Sequence, residues 1–457
     1  MPHSRQKGSF PRHLVSLLLL AALPTSVHAK SLTALLGRLW PTIASSTSDF
    51  PYPNVDSFYD PPSTFAEDSP GTVYRYRYAQ NSGHSDLIAT QVLFRTVDAL
   101  GEPTTTVTTI LQANSSSGEY LVAWNMYEDA AAPQCAPSYC FNTDPGQSFC
   151  PDVGKSLAHD QLMSYIEKGW IVIVTDYEGT NSGFSVGHLA GYQILDGYRA
   201  AIEFLGLPRK IVLGGFGYSG GALATGWSAA LQNLYAPELN IKAVTLGGTP
   251  TNVTSTLMHL NGGLYAGFVM TGLAGQLAAF PELSFRFNEV VTPNGRSKIS
   301  AAQRHCANYA LLNFAFSDVL STDFQSLGKD LVYDPIVSKY LKMSIMGAKS
   351  SETPTKPSIC MFHSDMDQVV PHNAAQRTAH TWCRRGAKIK FVSLKGISGH
   401  ISTQMAYGDT ALAWLDGQLR GEIAPLSKCS FTSDFSLSLP IRRRSRVHSL
   451  HSHSGRP

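Results

Sequence analysis

The sequence has no C-x-x-C pair among its seven cysteines, which excludes the zinc ribbons and fingers built on that spacing. Charge is scarce, at 15% of residues against 43% hydrophobic, so a disordered chain is excluded and a globular one with a substantial core remains. A bilayer-spanning run is missing. The apolar stretch from Leu14 to Leu23 falls short of the roughly 20 residues that a spanning helix needs. A basic body is missing as well. The formal net charge is +3, but Arg5, Lys7 and Arg12 precede residue 30 and five arginines follow residue 440, leaving −5 on the stretch between. No basic face is visible there for a nucleic acid to dock on.

What is present at the N-terminus is a basic start, the Leu14–Leu23 run and then Val27-His28-Ala29, the pattern of a signal peptide over residues 1–29. Export agrees with the seven cysteines, which imply disulfides and a leftover thiol, and with acceptor sequons at Asn114 and Asn252. Residues 30–70, rich in Ser, Thr and Pro, read as an irregular arm. Residues 431–457 end in an arginine- and histidine-rich stretch without apolar pattern and read as a disordered basic tail.

Between arm and tail the chain alternates strand and helix. Val73–Tyr78, Ile88–Val97, Thr104–Leu111 and Tyr120–Met126 carry branched and aromatic residues in near-alternation, the pattern of antiparallel strands at one end of a sheet. A helix over Ser156–Lys168 leads into the buried-strand run Trp170–Asp176, followed by a helix over Tyr192–Leu205 and strands at Ile211–Leu213 and Ile241–Leu246. That rhythm predicts a largely parallel sheet with helices on both faces, an α/β fold. It breaks at Gly247. No Asp, Glu, Lys or Arg occurs between Lys242 and Glu282, and His259, Asn261, Gln276 and several glycines interrupt the apolar run in that stretch. The next sheet strand arrives only at Ser358–His363, a gap far beyond ordinary loop length, so residues 251–354 read as a helical cap inserted into a core of 71–250 and 355–430. A helix over Asn373–Arg384, a last strand at Ile389–Leu394 and a final helix over Thr403–Leu419 complete the core.

The chemistry is concentrated in Lys210–Ala230. A short apolar strand runs into Gly217-Tyr218-Ser219-Gly220-Gly221, and a small-residue helix follows, which is the setting a G-x-S-x-G element requires. Gly217 and Gly221 leave room for the close approach of a sharp strand-to-helix turn, and Ser219 becomes a candidate nucleophile. The Gly220 N–H, at the start of the helix, is a candidate oxyanion donor.

A serine hydroxyl needs an imidazole to remove its proton and a carboxylate to orient that imidazole, here in chain order Ser, Asp or Glu, His. His400, in a small-residue loop just past a strand, is the candidate base. Asp367, ahead of Gln368-Val369-Val370-Pro371, is the favoured acid and Asp365 the alternative. A second oxyanion donor is expected after the Tyr120–Met126 strand, through the backbone of Asp129, with Glu128 as the alternative. Asp176, Tyr177 and Glu178 end a strand on the same side and suit a structural role as well as a catalytic one.

Together, Gly217–Gly221, Tyr127-Glu128-Asp129, Cys135-Ala136-Pro137-Ser138-Tyr139, Asp176–Gly179, Gly247-Gly248-Thr249-Pro250, Asp367 with its Val-Val-Pro, and His400 resemble the fungal secreted lipase family typified by Candida antarctica lipase A. The resemblance is colinear from about Phe58 to Cys429. It implies an α/β-hydrolase with an inserted helical cap or lid, hydrolysing triacylglycerols and other carboxylic esters. It implies Ser219, Asp367 and His400 as the triad, the N–H groups of Asp129 and Gly220 as oxyanion donors, and disulfides Cys135–Cys306 and Cys383–Cys429. The chain departs from the family in its basic tail and in the extra Cys140 and Cys150, which we expect to pair with each other.

The resulting expectation is a secreted serine lipase or esterase that needs no metal or organic cofactor and meets a lipid or other ester substrate, with the lipid–water interface as one setting. An acyltransferase or an esterase for a small non-lipid ester uses the same machinery. A non-catalytic binding module on a hydrolase scaffold is the reading of a different class.

Overall fold

The computed structural model describes residues 50–80, 87–142 and 161–435. The expected signal peptide, the tail beyond Phe435, Cys150 and the start of the helix expected from Ser156 lie outside the described residues. Residues 161–166 of that helix are helical.

Ten strands form one sheet: β1 (Val73–Tyr78), β2 (Leu87–Val97), β3 (Pro103–Ala113), β4 (Tyr120–Asn125), β5 (Ile171–Thr175), β6 (Val212–Tyr218), β7 (Ile241–Gly247), β8 (Ser358–Met366), β9 (Lys388–Ser398) and β10 (Ser430–Asp434). Their spatial order is β1-β2-β3-β5-β4-β6-β7-β8-β9-β10. The first three pair antiparallel with their neighbours, and everything from β5 to β10 is parallel. The crossing from β4 to β6 by way of β5 makes the strand order reverse there, and ligands of open α/β sheets bind beyond the strand ends at such reversals.

Two of our strand expectations need correction. β4 does not belong to the antiparallel end: it lies between β5 and β6, parallel to both. Its side chains are buried on both faces, with Leu121 and Ala123 in one core layer and Val122 and Trp124 in the other. The aromatic near-alternation therefore described a two-faced interior strand. β9 is also not the last strand. Residues 430–434, expected to begin or border the tail, pair in register with Lys390–Leu394 as β10. A single apolar residue, Phe431, marks this strand, which stacks on His380 at 3.9 Å and is tethered by the adjacent Cys383–Cys429 disulfide. Such an edge strand has no periodic signature.

Helices cover both faces of the sheet. Gly187–Leu205 and Gly220–Tyr235 pack on one side, contributing Ile194, Leu195, Ala224 and Trp227 to its core, and His400–Arg420 packs on the other with Leu412, Leu415 and Leu419. The Gly187–Leu205 helix starts earlier than its apolar spacing suggests because its first turn is small and buried against Trp227. Between β7 and β8 the expected hundred-residue interruption is helical: Val253–Leu260, Ala266–Ala279, Pro281–Val290, Pro293–Ala302, Ala307–Asn313 and Pro335–Met343. These helices share an apolar cluster of their own, including Met270, Phe280, Phe287 and Phe324, which reaches Val369 and Val370 after β8. No helix among the described residues is long and apolar enough to cross a membrane. The arm adds Phe58 and Tyr59, buried against Leu93 and Val107.

Candidate active site

Ser219 stands between the end of β6 and the first residue of the Gly220–Tyr235 helix, with φ 55° and ψ −123°. A non-glycine residue in such a conformation costs about 1–3 kcal/mol, so the surroundings must hold it. They do so by close backbone approach. A Cβ on Gly217 would stand 2.1 Å from the Gly221 carbonyl oxygen, and one on Gly221 would stand 1.9 Å from the Asn125 carbonyl oxygen of β4. Both obstacles are backbone and cannot swing aside. We therefore expect Gly221→Ala to cost roughly 3 kcal/mol or more, read as reduced secreted yield and a lowered Tm; an unchanged Tm would mean that the turn is not packed this way.

The histidine and the acid reach Ser219 from the other strand ends. His400, buried at the start of the His400–Arg420 helix, has its Nε2 2.8 Å from Ser219 Oγ and its Nδ1 2.7 Å from Asp367 Oδ2. Asp367 follows β8, and its Oδ1 accepts the N–H groups of Val369 and Val370, each at 2.9 Å. The apolar pair thus anchors the loop and aims the carboxylate. Burial opposes the Asp367 charge, but His400 and His363 beside it outweigh that and hold the carboxyl far below the usual range. Asp365, the alternative acid, is exposed and paired with Lys395 at 2.7 Å, away from His400.

Two neighbours hold the backbone of His400. The His400 backbone N–H donates to Gln368 Oε1 at 2.9 Å, and its carbonyl accepts the Tyr218 hydroxyl at 2.5 Å. Neither was singled out from sequence, although one is the variable residue of the G-x-S-x-G element and the other directly follows Asp367.

Gly220 begins its helix, where an N–H has no intrahelical acceptor. Asp129, at φ 53°, brings a carboxyl oxygen to 2.2 Å from where a Gly220 Cβ would stand, so its loop lies against the start of the helix. The Asp129 N–H also lies toward Glu178, but both Glu178 carboxyl oxygens lack a hydrogen-bond partner among the described residues. The alternative, Glu128, is buried with both carboxyl oxygens unpartnered. Burial pushes Asp129 and Asp176 each up to about 7 and raises Glu128 and Glu178 well above the carboxylate range, neighbouring acids adding to the glutamate shifts. Asp176 is structural: it accepts the Ser138 N–H at 2.8 Å and its hydroxyl at 2.5 Å. Tyr177 donates to the Met126 carbonyl at 2.7 Å, pinning the loop that carries Asp129.

Ser219, Gly220 and Asp129 open onto a cavity of about 110 Å³ that runs beneath the β7–β8 insertion. Its wall is overwhelmingly apolar, with Leu257, Phe268, Phe287 and Val337 facing in, and Gln276 is one of few polar side chains. Cys135 bonds to Cys306, joining the loop after β4 to the insertion, and Cys383 bonds to Cys429. Cys360 is buried and free, its thiol pushed up to about 12 by burial. The partner expected for Cys140, Cys150, lies outside the described residues. Asn114 stands exposed just past β3, and Asn252 is half-buried and caps the Val253–Leu260 helix by accepting the Ser255 N–H at 2.9 Å. Among the described residues no three His, Cys, Asp or Glu side chains are grouped to hold a metal ion.

A serine on a sharp turn at the C-terminal edge of a mostly parallel sheet, with a histidine in hydrogen-bond reach, defines an ester hydrolase of the α/β-hydrolase class. The comparisons with known proteins carry this further. The sequence pattern described as secretory lipase matches residues 156–425. The secreted triacylglycerol lipases LIP2 and LIP3 of Malassezia globosa are 35% and 36% identical over 381 residues, each alignment covering 82% of this chain and 83% of the relative. Among solved structures, Candida antarctica lipase A superposes with a TM-score of 0.77 at 27% identity, covering 85% of this chain and 90% of its own. The rice cell wall degrading esterase LipA of Xanthomonas oryzae shares the fold alone, with a TM-score of 0.57 at 16% identity over 78% of this chain and all of the esterase. The chain belongs to the secretory lipase family, and it is a secreted carboxylic ester hydrolase.

Proposed function

We propose that the protein hydrolyses triacylglycerols, with Ser219 as nucleophile, His400 as base and Asp367 as the acid that orients it. The observation that carries this is His400, bridging Ser219 Oγ at 2.8 Å and Asp367 Oδ2 at 2.7 Å beside an apolar cavity. Ser219 Oγ attacks the ester carbonyl carbon while its proton passes to His400 Nε2. The carbonyl π electrons move onto oxygen, where the N–H groups of Gly220 and Asp129 stabilise the charge. Collapse breaks the bond to the alcohol oxygen, which leaves with the proton from His400. Water then repeats the sequence on the acyl-enzyme, releasing the fatty acid. Asp367 stays ionised throughout and keeps the imidazole in the tautomer with a free Nε2.

Residues 251–354 act as a cap over the core of 71–250 and 355–430, and the apolar cavity beneath them accommodates the acyl chain. A cleft with so few polar wall groups favours a water-insoluble ester, met at a lipid–water interface, over a polar one. The names of the Malassezia globosa relatives agree with that substrate.

Initial rates on emulsified long-chain triglyceride and on soluble short-chain esters test the reading. Fatty acid release from the emulsion should rise with interfacial area. Good turnover of the short esters with none of the emulsion would overturn it in favour of a small-ester esterase, and a dominant ester product with an added alcohol would favour acyl transfer.

A further inference from the structure

We propose that His363 is a positioning residue of the reaction, its Nε2–H holding the Asp367 carboxylate oxygen that also receives the His400 Nδ1–H. This rests on the reading of Ser219, His400 and Asp367 above. His363 lies on β8 at 1% exposure, four residues before Asp367, and its Nε2 is 3.1 Å from Asp367 Oδ2. The same nitrogen is 3.1 Å from the Val370 carbonyl oxygen. Both neighbours only accept, so the proton resides on Nε2 and is shared between them. Nδ1 is buried with no partner among the described residues, which is tolerable for a lone pair and costly for an N–H. The Nε2 proton thus lies between the Val370 carbonyl and Asp367 Oδ2.

Asp367 then has a complete set of donors: Val369 and Val370 on Oδ1, His400 and His363 on Oδ2. A carboxylate held at both oxygens cannot rotate about its last bond, so the direction of the His400 hydrogen bond is set before substrate arrives. The second donor on Oδ2 also withdraws charge from the oxygen that steadies the imidazolium. Removing it does two things of opposite kind: it loosens the aim of the imidazole, and it makes Asp367 a stronger partner for protonated His400. The first lowers kcat; the second moves the acid limb of kcat/KM to higher pH.

The other ionisable groups facing this spot are few. His372, on the His372–Arg384 helix, meets the His363 ring edge-on at 5.6 Å and bonds Ser393 Oγ at 2.9 Å. Burial pushes it down to about 4. Asp365 is neutralised by Lys395, and the Tyr218 hydroxyl is committed to the His400 carbonyl. Asp129, raised by burial to about 7 with His400 opposing that rise, titrates in the same range in parent and variants alike, so the informative quantity is the displacement of each variant's limb from the parent's.

The test compares His363→Phe, which fills the ring volume without a donor, with His363→Gln, whose amide N–H reaches to about the position of Nε2. Soluble p-nitrophenyl butyrate is the substrate, and kcat/KM is followed from pH 5 to 9. We expect His363→Phe to lose roughly 10- to 100-fold in kcat with KM little changed, in line with losses at residues that orient a catalytic group, and its acid limb to move up. His363→Gln should recover most of the rate. Folded variants in which the limb stays in place, or in which Gln is no better than Phe, would overturn the proposal. If neither variant folds, ¹⁵N-histidine NMR of the unaltered protein decides: a His363 protonated on Nδ1 would overturn it, and the Nε2–H form would sustain it. Failure of the underlying triad is read separately, as loss of fluorophosphonate labelling of Ser219 in the unaltered protein.

Discussion

Ser219→Ala lowers kcat/KM for ester hydrolysis by ~10⁴-fold or more, abolishes fluorophosphonate labelling, and leaves Tm within a few degrees of the parent. The size follows from the site. Ser219 Oγ is the oxygen 2.8 Å from His400 Nε2, and removing it leaves an imidazole with nothing to activate except stray water. The stability term is small because one hydrogen bond contributes about 1 kcal/mol and alanine takes the same turn. The backbone at φ 55° is held by Ser219 N–H on the Gly247 carbonyl at 2.9 Å and by the Ala222 and Leu223 N–H groups on the Ser219 carbonyl. A pH-stat and a thermal melt on the purified secreted protein suffice. Turnover within tenfold of the parent would remove Ser219 from the nucleophile's role, and a large Tm loss would mean that its hydroxyl matters mainly to folding.

The sequence was most legible where chemistry and backbone geometry demand the same residues. Gly217 and Gly221 admit no side chain, so Ser219 could be read with its neighbours. The Asp367–His400 pairing was legible because strand ends in this fold class deliver acid and base in fixed order, and the Val369-Val370 anchor told Asp367 from Asp365. Less visible were contacts made by residues without a motif. Tyr218, Gln368 and His363 all touch the His400–Asp367 pair, yet each is an ordinary polar residue until the fold brings it there. β4 was misplaced because near-alternation of aromatic and aliphatic residues does not distinguish one buried face from two. β10 was invisible because a disulfide and one phenylalanine, not a periodic pattern, hold it to the sheet.

The buried acids behind Asp129 lead to a stability that falls as pH rises. Asp129 and Asp176, each raised to about 7, bind protons in the folded protein that they have already released in the unfolded chain over the interval from about 4 to 7. Glu128 and Glu178 are shifted the same way, by burial and by the acids around them. A group whose folded value is raised contributes its full stability below the unfolded value and loses it on passing through the folded one. The two aspartates alone, each raised from about 4 to about 7, therefore account for a loss on the order of 8 kcal/mol between about pH 4 and alkaline pH. Asp367 acts in the opposite sense, its contribution present above the unfolded value and lost only in strong acid. Tm should thus peak near pH 4–5 and be lower by roughly 10 °C at pH 8. Glu128→Gln, which removes one of the crowded charges, should flatten that slope; a Tm that is level or rising from pH 5 to 8 would show that the four acids are solvated or paired. The same groups bear on the reaction, because Asp129 supplies the proposed oxyanion N–H and its carboxyl lies against Gly220. Ionising the cluster places negative charge beside an oxygen that must itself become negative. Hydrolysis should then decline on the alkaline side ahead of unfolding, and Glu128→Gln should extend the active range upward in pH along with the melting temperature.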